Sequence, residues 1–361
     1  MNNAASVEFS IDELEQLLTT RPIREAFKYT SAKKLLTALT ESAAPDAPEL
    51  TDTAELTGTK GLSVTTRQLP TLLAENKRYP FVGLSRHFSQ TEVNVHVPTN
   101  YDSDKPLKLH HTLRSNAWLN LHLEPNAELT FIETEHDKGC LTSNIAITLE
   151  PGARLHHHRC LFGADTSQYH ATQVSVQDNA CYELNHYAGG SKLRRVDHLV
   201  QLVGAGAKAN MTGAYALAPN SHLDQNFTVE HIAAQCHSEH LLNGICFNGA
   251  KSSFSGRIHI HPQAQKSDAH LTNKNLILGT TAEVNTKPEL EIYADDVVCS
   301  HGATVGQLDE NSIFYLRSRG IPQAQAKTQL AQAFLFAQVT GELKDSASEA
   351  FSQLLAEQEV N

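Results

Sequence analysis

This sequence lacks a cationic excess. Its 361 residues include 29 Lys or Arg against 40 Asp or Glu, a formal net charge of −11. A broad nucleic-acid footprint needs clustered Lys and Arg to displace counterions, so the balance argues against that class. It argues equally against electrostatic attachment to an anionic membrane. Aromatics are scarce at 6%, so the core is expected to rest on Val, Ile, Leu and Ala. No uninterrupted apolar run reaches transmembrane length. The first residues, MNNAASVEFSIDELEQLL, carry acids where a secretion signal needs bases, and no apolar stretch follows. The expectation is a soluble, cytoplasmic protein. None of Cys140, Cys160, Cys181, Cys236, Cys246 and Cys299 forms a C-x-x-C pair. Their wide spacing is that of free thiols, not of a disulfide frame or a zinc knuckle. GxxxxGK[ST], HExxH, GxSxG and a GxGxxG after a strand are all missing, so the standard P-loop, zincin, hydrolase and dinucleotide sites are too.

Three textures are present. Up to residue 80 the chain is helical and mixed. SIDELEQLL offers a cap at Ser10 with Glu13, then Leu14, Leu17 and Leu18 on one helical face. SAKKLLTALT suggests a second short helix, while APDAPEL and TGTKG read as loops. From 81 to 308 the text repeats. EPNAEL (124–129) recurs as EPGARL (150–155), and small residues stand at Asn126, Gly152, Asn179 and Gly206, in steps of 26, 27 and 27. Half-steps appear at Gly139 and later at Asn220, Gln235, Gly249 and Gln263. Between these marks LTFIETE, VSVQ, FTVEHIA and RIHIHP alternate as strands do. A sandwich of hairpins also gives regular turns. A unit that itself repeats every ~27 residues with small corners favours a stacked β-solenoid, because one coil cannot bury its inner face alone. The expected class is therefore mainly β, a right-handed parallel β-helix. VGAGAKAN (203–210) then reads as one of its corners, not as a phosphate loop.

From 309 to 361 the period changes to helical. Phe314, Tyr315 and Leu316 precede Gly320, which is placed as a helix C-cap, and Ile321-Pro322 opens a further helix. That helix carries Leu330 and Phe334 at helical spacing, and Ser346 with Glu349 reads as a capping box before Phe351, Leu354 and Leu355.

Several constellations have ligand chemistry. In LHHHRC, strand alternation puts His156, His158 and Cys160 on one face; in RIHIHP it puts Arg257, His259 and His261 opposite Ile258 and Ile260. For both, an ordinary polar strand face competes with metal binding. Cys236 to His240, CHSEH, can gather a metal if it is a loop. In VVCSH, Cys299 and His301 share a face with Ser300 opposite. Thiolate with imidazole suits iron, zinc or copper(I); the same pair can be a nucleophile and its base, or a buried inert cysteine near a turn. Asp295 and Asp296 raise a further alternative, the acid/base pair of a carbohydrate-active β-helix enzyme. Consecutive strand residues point to opposite faces, which counts against it.

Residues 287–321, KPELEIYADDVVCSHGATVGQLDENSIFYLRSRGI, resemble the signature of the SufB/SufD family of iron–sulfur cluster assembly proteins. Upstream, Gly256, Lys266, Asp268, Ala269, Asn273 and Asn275 fit the same pattern, and EAFKYTS (25–31) is similar to an N-terminal segment in which Phe27 replaces Trp. His301-Gly302-Ala303-Thr304 is the text of the SufD-type branch. The resemblance implies a β-helix core between helical ends, and a non-catalytic scaffold in a complex with a SufB-type paralogue and a SufC-type ABC ATPase. It implies that His301 and Cys299 lie at the interface between paralogues, where a transient cluster or iron forms. The isolated chain is then expected to bind no cluster tightly, and it is either single or a homodimer. The helical C-terminal region is implied to dock the ATPase, which assigns Phe314, Tyr315, Leu316 and Arg317 to that contact, with Arg319, Leu330 and Phe334. A purely structural bridging solenoid is the competing reading.

Overall fold

In the computed structural model the small residues that mark the repeat take the left-handed backbone conformation. Their φ values are 58° at Asn126, 76° at Gly152, 54° at Asn179 and 71° at Gly206. Asn and Gly are the residues that tolerate it at least cost. Each donates its N–H to a carbonyl of the next coil: Asn126 to Pro151 at 3.1 Å, Gly152 to Asp178 at 2.9 Å, Asn179 to Ala205 at 3.0 Å and Gly206 to Ala234 at 3.1 Å. The column continues through Gln235 and Lys266, also at positive φ. Asn220 and Gly249 mark another corner, which explains the half-steps. Gln263 is not a left-handed position; Lys266 takes that place, because the coil has lengthened. Gly139 lies outside the described residues. These are 14, 16, 18–42, 62–68, 80–89, 91–102, 105–111, 116–135, 141–164 and 166–358.

Each coil sends one strand to each of two sheets. One sheet holds β1 (Ser63–Gln68), β2 (Thr91–Val97), β4 (Asn116–Leu123), β6 (Thr142–Leu149), β8 (Ser167–Val176), β10 (Leu193–Leu202), β12 (His222–His231), β14 (Lys251–Ile260) and β16 (Glu283–Ile292), in that order. The other holds β3 (Leu107–His111), β5 (Glu128–Glu135), β7 (Arg154–Leu161), β9 (Cys181–Gly189), β11 (Lys208–Leu217), β13 (His237–Phe247), β15 (Asp268–Leu278) and β17 (Val298–Gly306). All pairings are parallel except β1 with β2. The result is a parallel β-solenoid of about seven turns, mainly β, with small helical regions at both ends. Leu155 stands beside Leu129 and Tyr182 beside Leu155, a repeat of 26 to 27 residues. Ala269 stands beside Ser238, 31 residues on, so the later coils are longer.

Alternation decides what enters the interior. Leu129, Phe131, Leu155, Val174, Val200 and Ile258 form part of a continuous apolar stack. The interior is less aliphatic than composition suggests. Tyr182, Phe227 and Phe254 enter it, and so do the fully buried His157, His186, His198 and His240. The N-terminal helices α1 (Arg21–Ala26), α2 (Ala32–Ser42) and α3 (Pro80–Phe88) cover the outside of the nine-stranded sheet, where Phe81 bridges Phe27 and Tyr169 at 5.3 and 5.4 Å. Leu14 and Leu18 join this cluster; Ser10, Glu13 and Leu17 lie outside the described residues, as do both expected loops.

The C-terminal helices α4 (Glu310–Ser318), α5 (Gln323–Phe336) and α6 (Lys344–Glu357) follow β17. α5 and α6 pack on the outside of the eight-stranded sheet. The face that α5 buries is Ala326, Ala331 and Leu335, one position from Leu330 and Phe334, which are only half-buried. Alanines let the helix approach the sheet closely. The expected capping box is not formed. α6 starts at Lys344, so Ser346 lies within its first turn. The buried Leu343 fixes that start by packing.

Candidate functional site at the open end of the solenoid

β16 and β17 terminate the two sheets, and among the described residues neither has a further strand beside it. Cys299 is in register with Ala269, and His301 with Leu271, both buried core residues. The two side chains therefore face inward on the last strand, as the alternation predicts. They escape full burial because no further coil among the described residues stacks on them: Cys299 is half-buried and His301 exposed. Ser300 faces outward and hydrogen-bonds His270 Nδ1 at 2.6 Å. The same end exposes Ile292, Tyr293, Val298 and Val305, at 41, 62, 63 and 44%. Burial, then the nearby Asp268 carboxylate, pushes the Cys299 thiol up from its ordinary pKa. It is therefore a thiol, not a thiolate, at neutral pH. Two groupings of three ligand-type side chains occur among the described residues, and neither includes Cys299 or His301.

Asp295 and Asp296 sit in the bend between β16 and β17. The Asp296 backbone is used in the corner column, accepting from Lys266 N at 2.6 Å and donating to Gln265 Oε1 at 3.0 Å. Next along the chain, the Asp309 side chain caps α4 through Asn311 N and Ser312 N. Only Ile313 of that helix is buried, so Phe314 and Tyr315 project at 72 and 55% exposure. Arg319 lies over the Tyr315 ring at 4.7 Å. Leu316 is half-buried and Arg317 exposed.

The other sequence candidates separate. His156 and His158 do share the outer face of β7, but His156 is held between Glu128 and Glu183 at 3.1 and 2.8 Å, and Cys160 is covered by the C-terminal helices. Burial pushes the Cys160 thiol up to about 12, so it is inert. CHSEH is not a loop. Cys236 donates to backbone carbonyls, while His240 points into the core against Phe227. His259 and His261 face outward, as expected, and their rings stack at 4.2 Å. Sequence reasoning missed the interior polar group: Glu133 accepts from Arg159, His157 and His111 inside the coils. The signal was there, since Glu133 is in phase with Leu129 and Phe131, and Arg159 with Leu155.

A family model described as "SUF system FeS cluster assembly, SufBD core domain" matches residues 113–334. The chain belongs to the SufBD family. Among SufBD relatives, it is 33% identical over 283 residues to the iron-sulfur cluster assembly protein SufD of Escherichia coli, covering 73% of this chain and 66% of that protein. It is 31% identical over 223 residues to a SufBD family protein of Synechocystis, covering 61 and 43%. A SufBD family protein of Mycobacterium tuberculosis is 28% identical over 225 residues, covering 60 and 57%. The matched stretch thus spans between 43 and 66% of the length of these relatives. No described helix is long and apolar enough to cross a membrane.

Proposed function

We propose that this chain is an accessory scaffold subunit of iron–sulfur cluster assembly. It pairs through the open end of its solenoid with a SufB-type partner and contributes Cys299 and His301 to a shared site for the nascent cluster. The cluster is cargo, not a resident group. One observation carries the reading: two free sheet edges end together, with a thiol and an imidazole facing inward beside them. Free edges recruit strands from another chain, and the exposed Val298 and Val305 on β17 add apolar area to that contact. One thiol and one imidazole are too few donors for a stable site. The raised thiol pKa also requires an incoming metal to displace a proton. A closed Cys₄ cage retains its cluster, whereas a site divided between subunits opens when they move.

The helical region after β17 is the natural contact for a SufC-type ATPase. Phe314 and Tyr315 offer exposed aromatic anchors, flanked by Leu316, Arg317 and Arg319, while Leu330 and Phe334 are partly engaged within the chain. The chain itself supplies donors and geometry. Without the partner, the same edges offer pairing to a second copy.

Co-expression with a SufB-type and a SufC-type protein tests this. Recovery of a ternary complex that loses the ATPase on Phe314→Ala/Tyr315→Ala, and the paralogue on Val305→Pro, is expected. A chain that co-purifies with neither overturns the reading.

A further inference from the structure

The outside of the nine-stranded sheet carries a second ligand-type group, on a different face from Cys299 and His301. Glu230 on β12 and His259 on β14 are register neighbours on adjacent parallel strands. His261 follows His259 by two residues and so returns to the same side. One ligand atom from each of the three lies within 4.8 Å of the other two. The Glu230 side chain is almost wholly buried and the two histidines are half-buried, so the group opens to solvent on the imidazole side.

Two further features point to a ligand. His259 Nδ1 and His261 Nε2 are buried and have no hydrogen-bond partner. A buried nitrogen left unmet costs about 1–3 kcal/mol, and each of the two imidazoles grouped with this carboxylate carries one. The carboxylate is also held in place. Gln201, one coil earlier in the same column, donates its Nε2 to Glu230 Oε2 at 2.8 Å. The neighbouring cation is already engaged, since Arg257 Nε donates to Glu291 Oε1 at 2.9 Å.

We propose that Glu230, His259 and His261 bind a first-row divalent transition cation of the zinc, cobalt or ferrous class. Two imidazoles and a carboxylate are the donors of open sites for these ions, with water in the remaining positions. Magnesium and calcium want oxygen ligands throughout, and copper(I) wants thiolate. The strand–strand register and the His-x-His spacing supply the convergence, with Gln201 orienting the carboxylate. The interior group of His111, Glu133 and His170 does not compete, because Glu133 is bonded to Arg159 and all three are sealed in the core. The site lies within one chain and is independent of pairing through β17.

The test is titration of the purified, metal-stripped full chain with Co²⁺ by absorption spectroscopy and with Zn²⁺ by calorimetry. One equivalent per chain is expected, with a cobalt spectrum of mixed nitrogen and oxygen ligands. His259→Ala, His261→Ala and Glu230→Gln each weaken binding by more than tenfold, and Gln201→Leu by about tenfold. His301→Ala and His270→Ala leave it unchanged. Saturating Zn²⁺ raises the unfolding temperature of the wild type but not of His261→Ala. Histidine-ring NMR of the wild type gives an answer that no folding defect confuses: Zn²⁺ perturbs two imidazoles. Absence of stoichiometric binding, binding undiminished in the His259→Ala/His261→Ala variant, or perturbation of His270 or His301 instead overturns the assignment.

Discussion

Arg159 Nε donates to Glu133 Oε2 at 2.6 Å inside the solenoid, with both side chains sealed from solvent. Burial opposes ionisation of Glu133, but the Arg159 charge and the hydrogen bonds from His111 and His157 outweigh it and hold the carboxyl well below its ordinary range. Breaking such a pair from one side strands a buried charge, at about 3–5 kcal/mol, whereas replacing both partners with apolar groups costs much less. Glu133→Gln should therefore lower the urea midpoint strongly. Glu133→Leu/Arg159→Met should recover most of that loss. A double variant that loses as much as Glu133→Leu and Arg159→Met lose separately, added together, would mean that the pair is not coupled.

Acid should destabilise the interior from a second direction. Burial lowers His157, His231 and His240 to about 4, against an ordinary 6.5, and lowers His170, His186 and His198 as well. A base whose folded pKa is depressed contributes its full stability above 6.5 and loses it as pH falls toward the folded value. Each such group costs about 1.4 kcal/mol per pH unit in that window, so His157, His231 and His240 together cost about 4. Chemical denaturation should give a midpoint that is flat from pH 7 to 8 and falls steeply from 6.5 to 4.5. A midpoint constant down to pH 4.5 would contradict neutral interior imidazoles.

The corner column makes a local prediction. At Gly206, φ is 71°, and an added Cβ would stand 2.6 Å from Asn179 Oδ1 of the preceding coil. Gly206→Ala should cost about 1–2 kcal/mol from the left-handed backbone alone. Asn179→Gly, at φ 54°, should cost far less. Thermal unfolding of the two variants distinguishes this from a general intolerance of corner changes.

The solenoid was legible because its corners demand a left-handed residue at each turn, and Asn126, Gly152, Asn179 and Gly206 announce that demand in the text. The shared face of Cys299 and His301 was legible from strand alternation. Their accessibility was not, because it depends on no further coil stacking on β17. Alternation also places Glu133 and Arg159 inward, but a charged pair at core positions reads as an interruption until the stacking of coils brings the two together. Likewise His259 was visible as an outward residue, while its neighbour Glu230 lies 29 residues earlier and joins it only through register. The buried face of α5 was not legible, because the alanines that press on the sheet, Ala326 and Ala331, carry little hydrophobic signal.

The Cys299 thiol, raised by burial, should react slowly with alkylating reagents at pH 7 in the isolated chain. Purified alone under anaerobic conditions with iron and sulfide, the chain should hold no stoichiometric cluster. A stable cluster on the isolated chain would show that its own donors suffice.

The central claim is that His301 serves the cluster and not the assembly. The direct measurement is anaerobic reconstitution of the complex with SufB-type and SufC-type partners, comparing wild type with His301→Ala after equal recovery of complex. The account predicts an intact variant complex that forms cluster much more slowly or in lower yield. Normal cluster formation by that complex would contradict it and leave a solenoid that only bridges its partners.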